Sequence, residues 1–177
     1  MLFVGKYTPE LVAKVVSLVS QGIIKRISEF RLDKDNFSPE EVMAAVPLMA
    51  LPDGALVLLV NLTADQWKEL ADKFGEEMSS FDMVSTTVDS LSVDSVAKVY
   101  SKVKKGRLAA VEFEDFDLFA NSFEKYMGEE GARCEEFEFW KMNETEGVQG
   151  MAERIGWKAG GHDNCMVIRK VTEEDEG

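Results

Sequence analysis

A single α+β domain with a mixed or largely antiparallel sheet flanked by helices is predicted from three features, with a three-layer α/β arrangement as the alternative. Capped, amphipathic helical segments alternate with short apolar runs along the chain. One run, Ala55-Leu56-Val57-Leu58-Leu59-Val60, is wholly apolar and bounded by the turn Pro52-Asp53-Gly54, the pattern of a central strand covered on both faces. The chain closes on two strand-like segments around Gly160-Gly161-His162-Asp163, which read as an antiparallel hairpin.

The elements follow in order. Thr8-Pro9-Glu10 reads as an N-cap with proline at the first helical position, where its missing N–H costs nothing. Leu11, Val15 and Leu18, with Val12, Val16 and Val19, continue that helix as two adjacent apolar rows, and Gln21-Gly22 ends it. The spacing of Ile27, Phe30 and Leu32 leaves residues 23–32 open between a helical turn and a strand. Ser38-Pro39-Glu40-Glu41 has the reciprocal capping pattern, and Pro47 predicts an early end or kink in the helix that follows. Thr63-Ala64-Asp65-Gln66 is a second capping box, with Trp67, Leu70, Ala71, Phe74 and Met78 on one side. Lys68 and Asp72, and Lys73 and Glu77, are spaced as exposed helical ion pairs.

Residues 79–92 are rich in serine and threonine and read as containing a loop, before a helix carrying Val93, Val96, Tyr100 and Val103. Leu108 to Phe113 reads as a strand, and Asp115 caps a helix with Phe116, Phe119, Phe123 and Tyr126 facing inward. In residues 135–142, Phe137 and Phe139 share one side of a strand and Glu136 and Glu138 the other. Asn143-Glu144-Thr145-Glu146 has the spacing of a third capping box, and Gly156 is placed to close its helix in the left-handed conformation. No internal repeat or interdomain linker is evident, so residues 1–172 are expected to form the domain and 173–177 a disordered acidic tail.

At 177 residues the chain buries a substantial core, since about 70% of the unfolded surface is removed in a domain of this size. Cys134 and Cys165 are too few for a disulfide scaffold. With no secretory h-region and no apolar run long enough to span a bilayer, a cytoplasmic protein with no membrane association is expected. The formal charge of -13 is uneven: residues 109–146 carry 12 acids against 3 bases, while the 108 residues before them have 15 acids against 13 bases. Only Lys98, Lys102, Lys104, Lys105 and Arg107 form a basic cluster, so no nucleic-acid binding is expected. A protein partner with a basic surface fits the acidity better, and Glu112, Glu114, Glu136 and Glu138 are the candidate contact residues.

Phosphate loops, dinucleotide fingerprints, nucleophile elbows and His-Glu-x-x-His motifs are all missing, and no cofactor is expected. The one compact reactive grouping is His162 with Cys165, three residues apart, where an imidazole would lower a thiol pKa. Read as chemistry, these two are the catalytic candidates; read blandly, they belong to a polar turn entering a strand. A metal there would need Cys134 as well, and no metal site is the expectation. Asn61 and Thr63 sit where the apolar strand gives way to a helix, the usual ligand position of an open parallel sheet, although a cap already accounts for Thr63. The function expected is a small acidic protein-interaction or regulatory domain, with an enzyme or small-molecule pocket near residues 160–165 or 61–63 as the alternative. Oligomeric state is left open.

Overall fold

The computed structural model describes residues 8–75, 78–162 and 164–176, and of His162 and Glu176 it describes the backbone. Nine strands and seven α-helices are described: β1 (Glu29–Asp33), β2 (Ala55–Leu59), β3 (Ser80–Val84), β4 (Thr87–Val88), β5 (Lys105–Ala109), β6 (Glu112–Phe113), β7 (Glu136–Trp140), β8 (Lys158–His162) and β9 (Cys165–Arg169) are the strands. The helices are α1 (Pro9–Ser20), α2 (Pro39–Ala44), α3 (Ala64–Lys73), α4 (Val93–Ser101), α5 (Phe116–Met127), α6 (Thr145–Ile155) and α7 (Glu173–Glu176), with a 3-10 turn at Val46–Ala50.

The result is a single-domain α+β fold whose seven-stranded mixed sheet has the order β1-β2-β3-β5-β7-β9-β8. Strands β1, β2, β3, β5 and β7 run parallel, and only β9 and β8 are antiparallel to their neighbours. Of the two forms expected, the mixed sheet is the one present, and parallel pairing predominates because a helix or 3-10 turn returns the chain between successive parallel strands. β4 and β6 form a separate parallel pair.

Local chemistry sets most boundaries. Thr8, Ser38, Thr63 and Asp115 each accept a hydrogen bond from a first-turn backbone N–H, and the Ser38 and Thr63 caps are reciprocated by Glu41 and Gln66. Pro47 coincides with the change from α2 to the 3-10 turn. Gly156 closes α6 at a φ of 74°. The spacing Asn143 to Glu146 does not form a capping box: α6 starts at Thr145 from Glu144, without a side-chain cap. Asp72 and Lys73 also pair differently than expected, with Lys98 at 3.5 Å and Glu69 at 2.9 Å, while Glu77 lies outside the described residues. Residues 29–33 are strand, and so are 80–84 within the expected loop.

Each parallel strand faces two positions toward the core: Phe30 and Leu32, Leu56 and Leu58, Phe81 and Met83, Gly106 and Leu108, Phe137 and Phe139. The first members of these pairs recur at intervals of 26, 25, 25 and 31 residues, a repeat hidden by the variety of side chains that fill the same place. The backbone repeats as well. Ser85, Ala110 and Lys141 follow β3, β5 and β7 with φ of 52°, 51° and 54°, and each donates its N–H to the next segment at 2.9, 2.9 and 2.8 Å. A left-handed residue other than glycine costs on the order of 1 kcal/mol; three successive units accept that cost to turn the chain at the same place.

The helices pack against this apolar face and against one another in chain order, α3 on α4, α4 on α5 and α5 on α6. Rings carry the contact: Trp67 and Phe74 meet Phe81, Tyr100 lies 4.7 Å from both Phe81 and Phe137, and Phe123 lies 5.1 Å from Phe137. On the opposite sheet face none of α1–α6 is packed and the short α7 reaches only the β8–β9 end, so the architecture has two layers and neither the three-layer alternative nor the two-sided covering of β2 is realised. Val57 and Leu59 are half-buried there, whereas Leu56 and Leu58 are fully enclosed. At the far end, residues 173–176 form a helical turn where a frayed tail was expected. Asp175 accepts from both terminal nitrogens of Arg169 at 2.8 and 2.9 Å, from Lys158 at 3.1 Å, and from the Thr172 amide and hydroxyl. These charged hydrogen bonds hold its carboxyl well below the usual carboxylate range, the Arg169 bonds contributing most.

Candidate functional site

Strand alternation places Glu29, Arg31 and Asp33 of β1 on the uncovered face, and the register carries three rows across the sheet from them. One row runs Ala55, Ser80, Lys105, Glu136, Arg169; the next Val57, Asp82, Arg107, Glu138, Val167. The third, at the strand ends, contains Leu59, Val84, Ala109, Trp140 and Cys165, all uncharged.

At the centre of this face Arg107 donates from Nε to Glu138 Oε2 at 2.9 Å, stands 3.9 Å from Asp82 Oδ2 and lies 5.8 Å from the centre of the Trp140 ring. Lys105 stands 3.9 Å from Glu136. Glu136 and Glu138 are therefore on the solvent side of β7, as alternation requires, but each faces a cation. The acidic stretch does not form one face: Glu112 on β6 and Glu114 just after it lie at the rim beyond the strand ends, where Glu114 accepts from the Ser90 hydroxyl at 3.0 Å. Carboxylates of 112–117 do not adjoin those of 135–138 on neighbouring strands, because the neighbours of β7 are β5 and β9. Burial raises the Asp82 pKa, Arg107 offsets part of the rise, and Glu138 and Glu29 add to it.

The rim holds a cleft of about 620 Å³ between the first turns of α5 and α6, walled by Glu114, Asp115, Asp117, Glu144 and Glu146 around Phe116, with no lysine or arginine in its lining. Leu91, 82% exposed, directly follows Ser90 at this edge, and Leu118 of α5 is 40% exposed.

The other sequence candidates are accounted for structurally. Asn61 accepts the Thr87 amide through Oδ1 at 2.9 Å, tying the end of β2 to β4, and Thr63 caps α3. Cys165 is buried opposite Trp140, its thiol pushed up by burial and by Glu138, with Arg107 pulling the other way. A raised thiol pKa is the reverse of what a cysteine nucleophile needs. The side chain of His162 lies outside the described residues; its backbone pairs with that of Cys165. Cys134 precedes β7 while Cys165 pairs with its last residue, so roughly 20 Å of extended chain separates them. They cannot ligate one metal, and among the described residues no group of three or more His, Cys, Asp or Glu side chains is placed to hold one. Near residues 160–165 there is a cleft of about 210 Å³, bordered by Phe139, Met142, Val148, Cys165 and Met166.

Cys134 is a core residue whose thiol donates to the Glu136 carbonyl at 3.5 Å, and burial pushes it up to about 12. An unfolded chain releases this proton near pH 9 while the folded one keeps it, so the contribution is intact below pH 9 and lost as pH rises toward 12. The slope is up to about 1.4 kcal/mol per pH unit. Between pH 8 and 10.5 the native chain is expected to lose roughly 2 kcal/mol more than its Cys134→Ala variant in urea unfolding; equal losses would count against the buried thiol.

Sequence reasoning missed Asp82, Arg107 and Trp140 as a group, since only the register of three strands joins them. No helix among the described residues is long and apolar enough to cross a membrane. No protein-family model matches the chain, and no curated protein matches it in sequence.

Proposed function

We propose that this chain is a protein-interaction domain that engages its partner across the uncovered sheet face and the acidic rim beside it. The observation that carries the reading is the two-layer architecture: among the described residues, α1–α6 occupy one side of a seven-stranded sheet and leave the other open except where α7 meets the β8–β9 end. Successive β–α units in chain order, with apolar positions recurring at about 25 residues, resemble the spacing of leucine-rich repeats. Stacked repeats of this general kind use their extended surfaces for binding. The partner is basic where it meets the rim, because the cleft between α5 and α6 presents carboxylates with no cation in its lining.

The test is kinetic. A partner recovered from native extract is expected to associate more slowly as salt rises toward about 0.5 M, where screening acts over less than a nanometre. Glu112→Lys with Glu114→Lys is expected to reproduce that slowing at low salt. These two exposed acids are better reporters than Glu138, whose reversal would also place a cation against Arg107. An association rate indifferent to both salt and the double variant would reject the basic-partner reading.

A second reading has one observation behind it. The cleft of about 210 Å³ near residues 160–165 is large enough for a small apolar ligand. Native mass spectrometry of protein from its own cells would support this reading by showing a stoichiometric added mass.

A further inference from the structure

Asp82 sits near the middle of the uncovered face, with Val57 opposite it on one side and Arg107 on the other. Its side chain is 25% exposed, and among the described residues its ion-pair partner is Arg107, at 3.9 Å, beyond hydrogen-bond range. Arg107 has a closer commitment: its Nε donates to Glu138 at 2.9 Å. Two carboxylates thus share one guanidinium, leaving the centre of the face with a net negative charge whose better-served member is Glu138. Immediately toward the strand ends lies the uncharged row Leu59, Val84, Ala109 and Trp140, each half-buried by its sheet neighbours. A half-buried carboxylate lacking a short partner, beside a tryptophan and an apolar strip, has the composition of an interface centre, where desolvated charges and aromatic anchors carry most of the binding energy.

We propose that Asp82 receives a basic side chain from a partner protein, supplied by a segment in which arginine is flanked by aliphatic residues that lie along Leu59, Val84, Ala109 and Trp140. This rests on the protein-binding reading above and adds the chemistry of the central contact. Arginine fits because its fork can donate to both Asp82 oxygens while its stem lies on Val57 and Val84. Charge selects the side chain at this contact: an acidic one would meet Asp82 and Glu138 with the guanidinium between them already engaged, while Arg31 lies beyond Val57 in the same row.

The test uses the full chain, labelled with nitrogen-15, and two synthetic probes: a twelve-residue peptide alternating arginine and leucine, and its glutamate–leucine counterpart. The first is expected to shift backbone amides within 57–59, 82–84, 107–109 and 138–140, and the second is not. Asp82→Asn and Trp140→Ala are each expected to weaken the arginine peptide roughly tenfold, the scale of one charged hydrogen bond or one aromatic anchor. Glu114→Lys is expected to leave those central shifts in place. Thermal unfolding of each variant checks that the fold is retained. Shifts confined to residues 114–117 and 144–147 would overturn the Asp82 contact while leaving the acidic rim, and so the protein-binding reading, standing. Central shifts unchanged by Asp82→Asn, or equal shifts from the glutamate peptide, would also overturn it. Concentration-dependent shifts at the centre without peptide would identify a second copy of the chain as the occupant and overturn the proposal. No shift from either peptide at either surface, together with salt-indifferent partner association, would remove both readings.

Discussion

Phe137→Ala is expected to destabilise the fold by roughly 3–5 kcal/mol, the range for truncating a buried aromatic ring. Phe137 is fully enclosed, and its ring centre lies 4.7, 5.1 and 4.8 Å from those of Tyr100, Phe123 and Phe139. Those neighbours come from α4, α5 and the same strand, so one side chain joins two helices to the sheet. Removing it leaves a space that rings on both sides are held from entering by their own contacts, Tyr100 by Phe81 and Phe123 by Trp157. Urea unfolding would measure the loss from the midpoint at an unchanged slope. A loss below about 1 kcal/mol would show that the core collapses into the gap and that Phe137 is not the junction described.

Gly106→Val is expected to cost about 2 kcal/mol, for the opposite reason. Glycine stands where the other four parallel units carry Phe30, Leu56, Phe81 and Phe137, because Phe137 and Tyr100 already occupy the space above it. A Cβ at this position would come within 2.7 Å of both rings, closer than carbon atoms approach. Valine favours strand backbone over glycine by up to about 1 kcal/mol, but forcing extra methyl groups into a filled core costs about 1–3 kcal/mol and occasionally more. The steric effect wins, since neither ring is the free end of a flexible chain. Combining Gly106→Val with Phe137→Leu tests the cause: the double variant should be less destabilised than the sum of the two single ones. Strict additivity would place the clash elsewhere.

Much of the fold was readable because it is written in local chemistry. Thr8, Ser38, Thr63, Asp115 and Gly156 act at the helix ends their residue types imply, and β2 and β7 carry the side-chain patterns of strands. β3 was obscured because Ser80 and Asp82 alternate with Phe81 and Met83 inside a serine-rich stretch, and composition drew attention away from the period. The repeat escaped notice for a related reason: its first inward position is filled by phenylalanine, leucine, phenylalanine, glycine and phenylalanine, and the last interval lengthens to 31 residues. Asn143 to Glu146 misled because a capping box needs a backbone geometry that Glu144, at a φ of -100° and ψ of 38°, does not supply.

The candidate site was less legible than the fold. Alternation alone put Glu136 and Glu138 toward solvent, but Arg107 is 31 residues before Glu138, and no local pattern pairs them. Charge counting therefore saw an acidic segment where the folded molecule has an ion-paired sheet centre and a separate acidic rim. The cysteines reversed their apparent meaning in the same way, since closeness of Cys165 to His162 in sequence said nothing about burial of the thiol.

The sequential strand order has a bearing on association between chains. A sheet assembled from like units exposes, at each end, hydrogen-bonding groups shaped to accept one more unit, and a second molecule can supply it. At one end β1 carries Glu29, Arg31 and Asp33 on its open side, so an intruding strand would have to match three charges. At the other end the pairing changes: β9 runs antiparallel to β7, and β8, antiparallel to β9 in turn, forms the edge. β8 itself offers Lys158 and the pair Gly160-Gly161, with little side-chain surface to grip, while Asp175 fastens Lys158 and Arg169 together across the final hairpin. Sparse side chains and a fixed lysine are deterrents to fibrous growth, so the same hairpin that completes the domain also keeps its repeating pattern from propagating into a neighbour.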